Sequence, residues 1–478
     1  MNTRARNLID GQWVGDPTVE RHNPAHPSQT AAISPDSTTN DVDAALVAAR
    51  QAQPAWAALP APARGTVLLD AADLLRQRRP DIARDLVEEE GKTLPEASGE
   101  VRRAIDLLRY YGSAAWQSAG GTFPSSAAAT TIYAQREPIG IAALITPWNF
   151  PIAIPTWKAA PALVTGNAVV LKPAELTPLS ANHLAAALVD AGLPPGVLNV
   201  VHGQGSVVGA ALAQDSRVGA LSFTGSTTVG LELHKILSAR RARVQLEMGG
   251  KNGYLVLDDA DASRAAATIA AGAFGLTGQA CTATSRVYCT PAIKDEFVNA
   301  LVAGAAAYRP GDGLADSTTM GPVVSEEQLQ VDVQAIQRAH GQGATVVTGG
   351  SSADGQLLPP TILTDLASDA DAVRDEIFGP VLVVLTIADL DEGIAQINAS
   401  RYGLTAGICT TSLAAAHHFA DQVQVGVVKV NRPTTGLDLN VPFGGVKDSS
   451  TNTFREQGPN AVDFYTWTKT VYLGHDGA

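Results

Sequence analysis

Residues 167–203 read NAVVLKPAELTPLSANHLAAALVDAGLPPGVLNVVHG. An apolar run from Ala168 to Leu171 stops at Lys172 and Pro173. From Ser180 apolar residues recur at helical spacing, and after Gly196 a second apolar run begins. Short apolar runs separated by one amphipathic helix are the pattern of parallel strands joined by a crossover. The pattern then repeats: SVVGAALAQD (206–215) reads as helix, VGALSFTG (218–225) as strand, TVGLELHKILSAR (228–240) as helix and RVQLEMGG (243–250) as strand. The fold class expected is α/β, with a doubly wound parallel sheet.

Upstream, residues 41–118 show helical periodicity throughout, an all-α opening. Residues 131–140 alternate weakly, and the apolar run after them is broken by Pro147 and Pro151. Downstream, a second strand-and-helix series starts at KNGYLVLDDADASRAAATIAAGAFG (251–275) and runs to about residue 447. AVDFYTWTKTVYLG (461–474) then returns to strand alternation. The chain has 478 residues, 45% of them hydrophobic and 17% charged, enough for several domains with a substantial core. Its net charge of −13 is spread along the chain, which argues against nucleic acid or an anionic membrane surface as partner and for a small molecule. The N-terminus lacks the apolar core of a signal peptide and no run is long enough to span a bilayer, so a cytoplasmic protein is expected. Three cysteines at no metal-ligand spacing make neither a zinc site nor a disulfide framework.

Several stations carry potential chemistry. Gly203, Gly205 and Gly209 follow one strand, and Gly225 and Gly230 follow another. Glycines between a strand and a helix let backbone N–H groups approach a phosphate, although they serve tight turns equally well. Lys172 and Glu175 close the strand at 168–172, where a carboxylate can accept hydrogen bonds from a ribose. TPWNFP (146–151) holds Asn149 between aromatics and prolines, a candidate donor to developing negative charge or a turn asparagine. Glu247 ends a strand just before Gly249 and Gly250; partial desolvation there raises a carboxyl pKa and suits a general base. Cys281 lies in GQACT (278–282). Cysteines are among the most buried residues, and Cys289 and Cys409 read as packing, but Cys281 follows what reads as a helix end, where a thiolate can face a cleft. EIFGPVL (376–382) and VPFGG (441–445) are turn motifs in isolation.

Taken in order, TPWNFP, KPAELTP, FTGSTTVG, LEMGGKN, GQACT, EIFGPVL and VPFGG resemble the aldehyde dehydrogenase superfamily, over essentially the whole chain. The resemblance implies two Rossmann-like parallel α/β domains plus a small bridging sheet: a cofactor domain from 1–119 and 139–248, a catalytic domain at 249–447, and bridging segments at 120–138 and 448–478. It makes Cys281 the nucleophile, Glu247 the general base, and Asn149 the oxyanion donor beside the Cys281 backbone N–H. Lys172 and Glu175 become adenosine-ribose ligands, with Lys172 counted also among the catalytic group. Gly225, Ser226 and Gly230 form the pyrophosphate loop, and Glu376 and Phe378 contact the nicotinamide side. Ile145, Trp148 and Phe223 line the cofactor cleft, and Gly205 and Gly209 lie near the adenine. The cofactor implied is NAD or NADP; Glu175 repels a 2′-phosphate and favours NAD.

The implied reaction is oxidation of an aldehyde to a carboxylic acid through a cysteine thioester. NFPIAIPTWKAAPAL (149–163) and REQGPNAVDFYTWTKT (455–470) resemble 2-oxoglutarate semialdehyde dehydrogenases, with succinate semialdehyde or general aldehyde dehydrogenases as alternatives. A CoA-acylating enzyme is disfavoured by Glu247, and a non-catalytic relative by Cys281 and Glu247 together. Phe150, Trp157 and Phe443 are expected to line the substrate tunnel. Arg432 is the expected anchor for a distal carboxylate, although a loop arginine commonly points into solvent. Pairing of the C-terminal strand between subunits implies a homodimer or homotetramer.

Overall fold

The computed structural model of the protein describes residues 3–117, 120–352, 355–451 and 453–475. Positions 1–2, 118–119, 353–354, 452 and 476–478, which fall within the expected segments, lie outside the described residues.

The strand read at 168–171 stands near the middle of a seven-stranded sheet. Its order is Arg243–Glu247, Val218–Thr224, Ile141–Ile145, Ala168–Lys172, Leu198–Val200, Asn7–Ile9 and Gln12–Val14. The first five are parallel; the last two form an antiparallel hairpin on the edge. Register decides what the sheet presents. Thr224 pairs with Glu247, Phe223 with Ile145 and Ile145 with Lys172, so four strands end level at one carboxyl edge. That edge is where ligands bind in open α/β sheets.

The helical opening is three long helices, Thr39–Ala58, Ala61–Glu90 and Leu94–Ala114. They bury Leu68, Leu75, Leu86, Val101 and Leu108 in one core with Leu144, Leu163 and Leu171 of the first unit. Among the described residues, the second unit has its own seven-stranded sheet, ordered Thr345–Thr348, Thr361–Thr364, Val381–Thr386, Thr284–Cys289, Asn252–Val256, Thr405–Cys409 and Val427–Val430. It is parallel except for the first pair. Each sheet therefore carries an antiparallel edge that the strand-and-helix alternation did not announce.

A third, antiparallel sheet joins Gly120–Phe123, Thr130–Pro138 and Thr466–Gly474. Thr466–Gly474 lies on its edge with Trp467, Tyr472 and Leu473 exposed. Cys289 and Cys409 are buried in the core of the second unit, as read from their apolar surroundings. Among the described residues no helix is long and apolar enough to cross a membrane, and no cluster of His, Cys, Asp and Glu is suited to a metal ion.

Candidate active site

The helix Ala262–Phe274 ends seven residues before Cys281, and the connection is unusual. Leu276, Thr277 and Gly278 all have positive φ, at 55°, 57° and 67°. Two of these residues have side chains that disfavour this region, a cost of roughly 1–3 kcal/mol each. The turn is held by its surroundings: Leu276 N–H donates to Glu96 (2.8 Å), Thr277 Oγ1 to the Gly321 carbonyl (3.1 Å), and Val324 N–H to Gln279 Oε1 (2.8 Å). A side chain at Gly278 would collide with the Gly379 carbonyl. The Cys281 carbonyl accepts from Asn252 Nδ2 at 2.8 Å. The nucleophile candidate thus sits on an over-determined turn and remains partly accessible. Burial, with Glu247, Glu376 and Glu456 nearby, pushes its thiol pKa up, so ionisation requires a base.

Glu247 is the candidate. It ends the strand Arg243–Glu247, is 2% exposed, and no side chain donates to either carboxylate oxygen, the Gly445 N–H being the one backbone donor that acts on it. Burial and the adjacent Glu456 carboxylate raise its pKa well above the ordinary range, with Lys158 and Arg455 opposing. Lys158 is paired to Glu456 and donates to Ser222 Oγ at 2.7 Å, so a cation, a carboxylate and a hydroxyl stand behind the base. Sequence reading missed Lys158 and Glu456. The available signal was a lone lysine in a helix, Ala153–Val164, whose every residue is buried.

Asn149 is buried, and its Nδ2 donates to the Gln279 carbonyl at 2.9 Å. That bond ties it to the cysteine turn and leaves the second N–H of the amide for an oxyanion. Its backbone is clamped from the helical layer. Lys92 Nζ donates to the Asn149 carbonyl at 2.5 Å and pairs with Glu100, while Glu100 Oε1 accepts from Ile152 N–H (3.0 Å) and Ala153 N–H (3.1 Å). Lys92 also lies over the Phe150 ring, 4.5 Å from its centroid.

A cleft of about 310 Å³ opens beside the thiol. Trp148, Asn149, Gly225, Ser226, Cys281, Glu376 and Phe378 line it, together with Met248, Gln328, Val331 and Ile377, which sequence reading did not single out. Trp148 and Phe378 meet edge to face at 5.5 Å. Glu376 Oε1 accepts from Gly250 N–H at 2.8 Å, and burial raises its pKa to about 7.

The residues fit a dinucleotide. A Cβ at Gly225 would stand 2.5 Å from the Phe223 ring, so only glycine allows that loop its path. The buried hydroxyls of Thr146 and Thr224 have no partners. Lys172 is buried with its Nζ 2.7 Å from Glu175 Oε1, the same oxygen that accepts from Gly205 N–H at 2.8 Å. Burial lowers the Lys172 pKa, opposed by Glu175. Gly209 packs over Ile145: a Cβ there would be 3.5 Å from Ile145 Cδ1. Gly205 to Gly209 form a wide helical turn before the short helix Ala210–Gln214.

Of the expected tunnel residues, Trp157 and Phe443 are buried and in ring contact at 6.1 Å. Phe150 is half-buried. Arg432 holds its backbone carbonyl against the Tyr254 hydroxyl (2.9 Å) and leaves its side chain exposed. Thr434, beside it, is buried against Thr284 Oγ1 at 2.8 Å.

A model of the aldehyde dehydrogenase family matches residues 13–471. An alpha-ketoglutarate semialdehyde dehydrogenase of Haloferax volcanii is 46% identical, over 99% of this chain and 99% of that protein. A 2,5-dioxopentanoate dehydrogenase of Saccharolobus solfataricus is 44% identical, over 91% of this chain and 92% of its own. The NAD+ complex of an aldehyde dehydrogenase from Bacillus cereus superposes with a TM-score of 0.95 at 34% identity, covering 99% of this chain and 97% of that one.

Proposed function

Because this chain belongs to the aldehyde dehydrogenase family, we propose that it is a hydrolytic NAD(P)-dependent enzyme whose substrate is a carboxylate-bearing semialdehyde, 2-oxoglutarate semialdehyde first among them. The observation that carries the chemistry is the pair of buried oxygens of Glu247 near Cys281, to which no side chain donates. A buried carboxylate left without side-chain donors holds a proton strongly. That is the property needed to take one from a reluctant thiol and later from water.

The Cys281 thiol passes its proton to Glu247, and the sulfur bonds to the aldehyde carbon. The carbonyl oxygen takes the displaced electron pair and rests on Asn149 Nδ2–H and the Cys281 backbone N–H. Trp148, Gly225 and Phe378 are the residues that would hold a nicotinamide cofactor, which would supply the oxidant by taking the aldehyde hydrogen as hydride while the oxyanion re-forms the carbonyl of a thioester. Glu247, having released its first proton, takes another from a water molecule whose oxygen bonds to the thioester carbon. The carbon–sulfur bond breaks, the carboxylic acid forms and leaves, and the sulfur takes the proton held by Glu247 to restore the thiol. Lys158 and Glu456 form the polar pair against which Glu247 gains and loses protons.

Lys172, Glu175 and the glycines at 205, 209, 225 and 230 hold the dinucleotide, with Ile145, Phe223 and Ser226 shaping its cleft. Glu175, oriented by Lys172 and Gly205 N–H, favours NAD over NADP through repulsion of a 2′-phosphate. The semialdehyde reading is supported by the relatives' similarity over nearly the whole chain. The exposed edge Thr466–Gly474 supports homodimers or homotetramers.

The deciding experiment is the set of kinetic constants for 2-oxoglutarate semialdehyde, succinate semialdehyde and hexanal, each with NAD and with NADP, with and without CoA. Highest kcat/KM with 2-oxoglutarate semialdehyde and no need for CoA are expected. A strict requirement for CoA overturns the hydrolytic reading, and preference for hexanal overturns the substrate.

A further inference from the structure

Asp332 is a buried acid that the chemistry above does not use. It lies on the helix Glu326–Gly341, is 0% exposed, and has no hydrogen-bond partner on Oδ2. Burial raises its pKa to about 7 with Gln328 opposing, and among the described residues no cation acts on it. A carboxyl that is desolvated and without a cation costs stability, so its presence needs a reason beyond packing.

Gln328 supplies the reason. It precedes Asp332 by four residues, the spacing at which side chains of one helix meet, and it lines the cleft with Glu376, Phe378 and Cys281. Its Nε2 donates to Asp332 Oδ1 and to the Ile377 carbonyl, both at 2.9 Å. A primary amide has two N–H groups, and both are committed. What Gln328 has left for the cleft is Oε1, which only accepts. Without Asp332 one N–H is released, and the amide is free to turn over and present a donor in place of the acceptor.

Asp332 is itself seated by the loop it serves. A Cβ at Gly379 would stand 2.1 Å from its Oδ2 and 2.6 Å from its Oδ1, so the carboxyl lies against bare backbone. Gly379 follows Phe378, whose φ is 68°, and its carbonyl is the group that bars a side chain from Gly278 in the cysteine turn. The carboxyl is thereby confined beside Gln328, where the helix, the Phe378 loop and the cysteine turn come together.

We propose that Asp332 is a positioning residue for the dinucleotide: together with the Ile377 carbonyl it engages the Gln328 amide and so keeps an acceptor on the wall of the cofactor cleft. Asp332 does not line that cleft and acts through Gln328. The inference rests on the assignment of the cleft to a nicotinamide dinucleotide above, and adds what sets the polarity of its wall.

The test is the dissociation constant of NADH, read by its fluorescence with no aldehyde present, in the wild type, Asp332→Leu, Asp332→Asn, Gln328→Leu and the double variant Asp332→Leu with Gln328→Leu. NADPH takes its place if the wild type prefers it. Melting temperature and the rate of Cys281 alkylation by iodoacetamide are read without cofactor. Asp332→Leu is expected to weaken binding roughly 10-fold, as for one lost hydrogen bond, with the melting temperature level or higher and the alkylation rate unchanged. Asp332→Asn keeps an acceptor in the same place and is expected to restore wild-type binding. In the Gln328→Leu background, Asp332→Leu is expected to add nothing. Unchanged binding in Asp332→Leu, equal losses in Asp332→Leu and Asp332→Asn, or additive losses in the double variant overturn the proposal. A fall in melting temperature and alkylation rate alongside binding makes Asp332 a packing residue and overturns it too. A wild type that binds neither NADH nor NADPH sinks the cofactor cleft itself, whereas the other adverse results sink Asp332 alone.

Discussion

Glu100 and Glu247 are both buried, at 5% and 2% exposure, and the fold treats them in opposite ways. Glu100 has a cation on one oxygen and two backbone N–H groups on the other. Glu247 has no side-chain donor, only the Gly445 N–H acting on it, and another carboxylate for a neighbour. A saturated carboxylate is locked in one position, which is what a clamp requires. An unsaturated one is poised to change its charge, which is what a base requires. Glu100 holds the Asn149 turn, and Glu247 is the base we propose for Cys281, so what distinguishes support from chemistry here is the number of donors.

The comparison can be broken at four points, in descending order of effect. Cys281→Ser removes the acceptor of the substrate, and turnover should fall on the order of 10⁵-fold or more, read as formation of the reduced nicotinamide. Substantial remaining turnover would show that both carboxylates serve some other group. Glu247→Gln should slow steady-state turnover by roughly 10²–10⁴-fold while leaving a burst of one reduced cofactor per site. Because it removes a buried group with no side-chain donors, its melting temperature should stay level or rise. A variant with full steady-state turnover ends the assignment.

Glu100→Gln should do the reverse on stability. It breaks a buried ion pair, with a loss of about 3 kcal/mol in denaturant unfolding. Its kcat should fall by roughly 10–100-fold through misplacement of Asn149, with KM little changed. An unaltered kcat would reduce Glu100 to packing. The smallest effect concerns pH. Glu456 raises the Glu247 pKa, so Glu456→Gln lowers it, and the acid limb of kcat/KM should move to lower pH by about one unit. A limb that stays in place or moves upward would uncouple the two groups.

Much of this arrangement was legible from residue order alone. Apolar runs alternating with helical periodicity gave the two sheets, because parallel strands buried on both faces must be apolar throughout. The first 34 residues were not read, since strands such as QWV and VERHN are short and polar and pair only locally. Cys281, Glu247 and Asn149 stood in quotable motifs. Their support did not: Lys92, Glu100, Lys158 and Glu456 meet across separations of 8 to 298 residues. Charge on a helix reads as solvent-facing until the neighbouring element is known. The left-handed Leu276 and Thr277 were equally hidden, because neither residue type advertises a positive φ.

The stretch from Ser450 to Gly474 pairs with the Glu247 strand end, places Glu456 behind the base and Gln457 against Arg103, and finishes as the open edge of the third sheet. The order of synthesis follows from this. A nascent chain possesses Cys281 and Glu247 long before residue 456 has left the ribosome, and until then Glu247 lacks its polar backing. Completion of the proposed reacting centre therefore waits on the same C-terminal stretch that supplies the exposed edge strand of the third sheet.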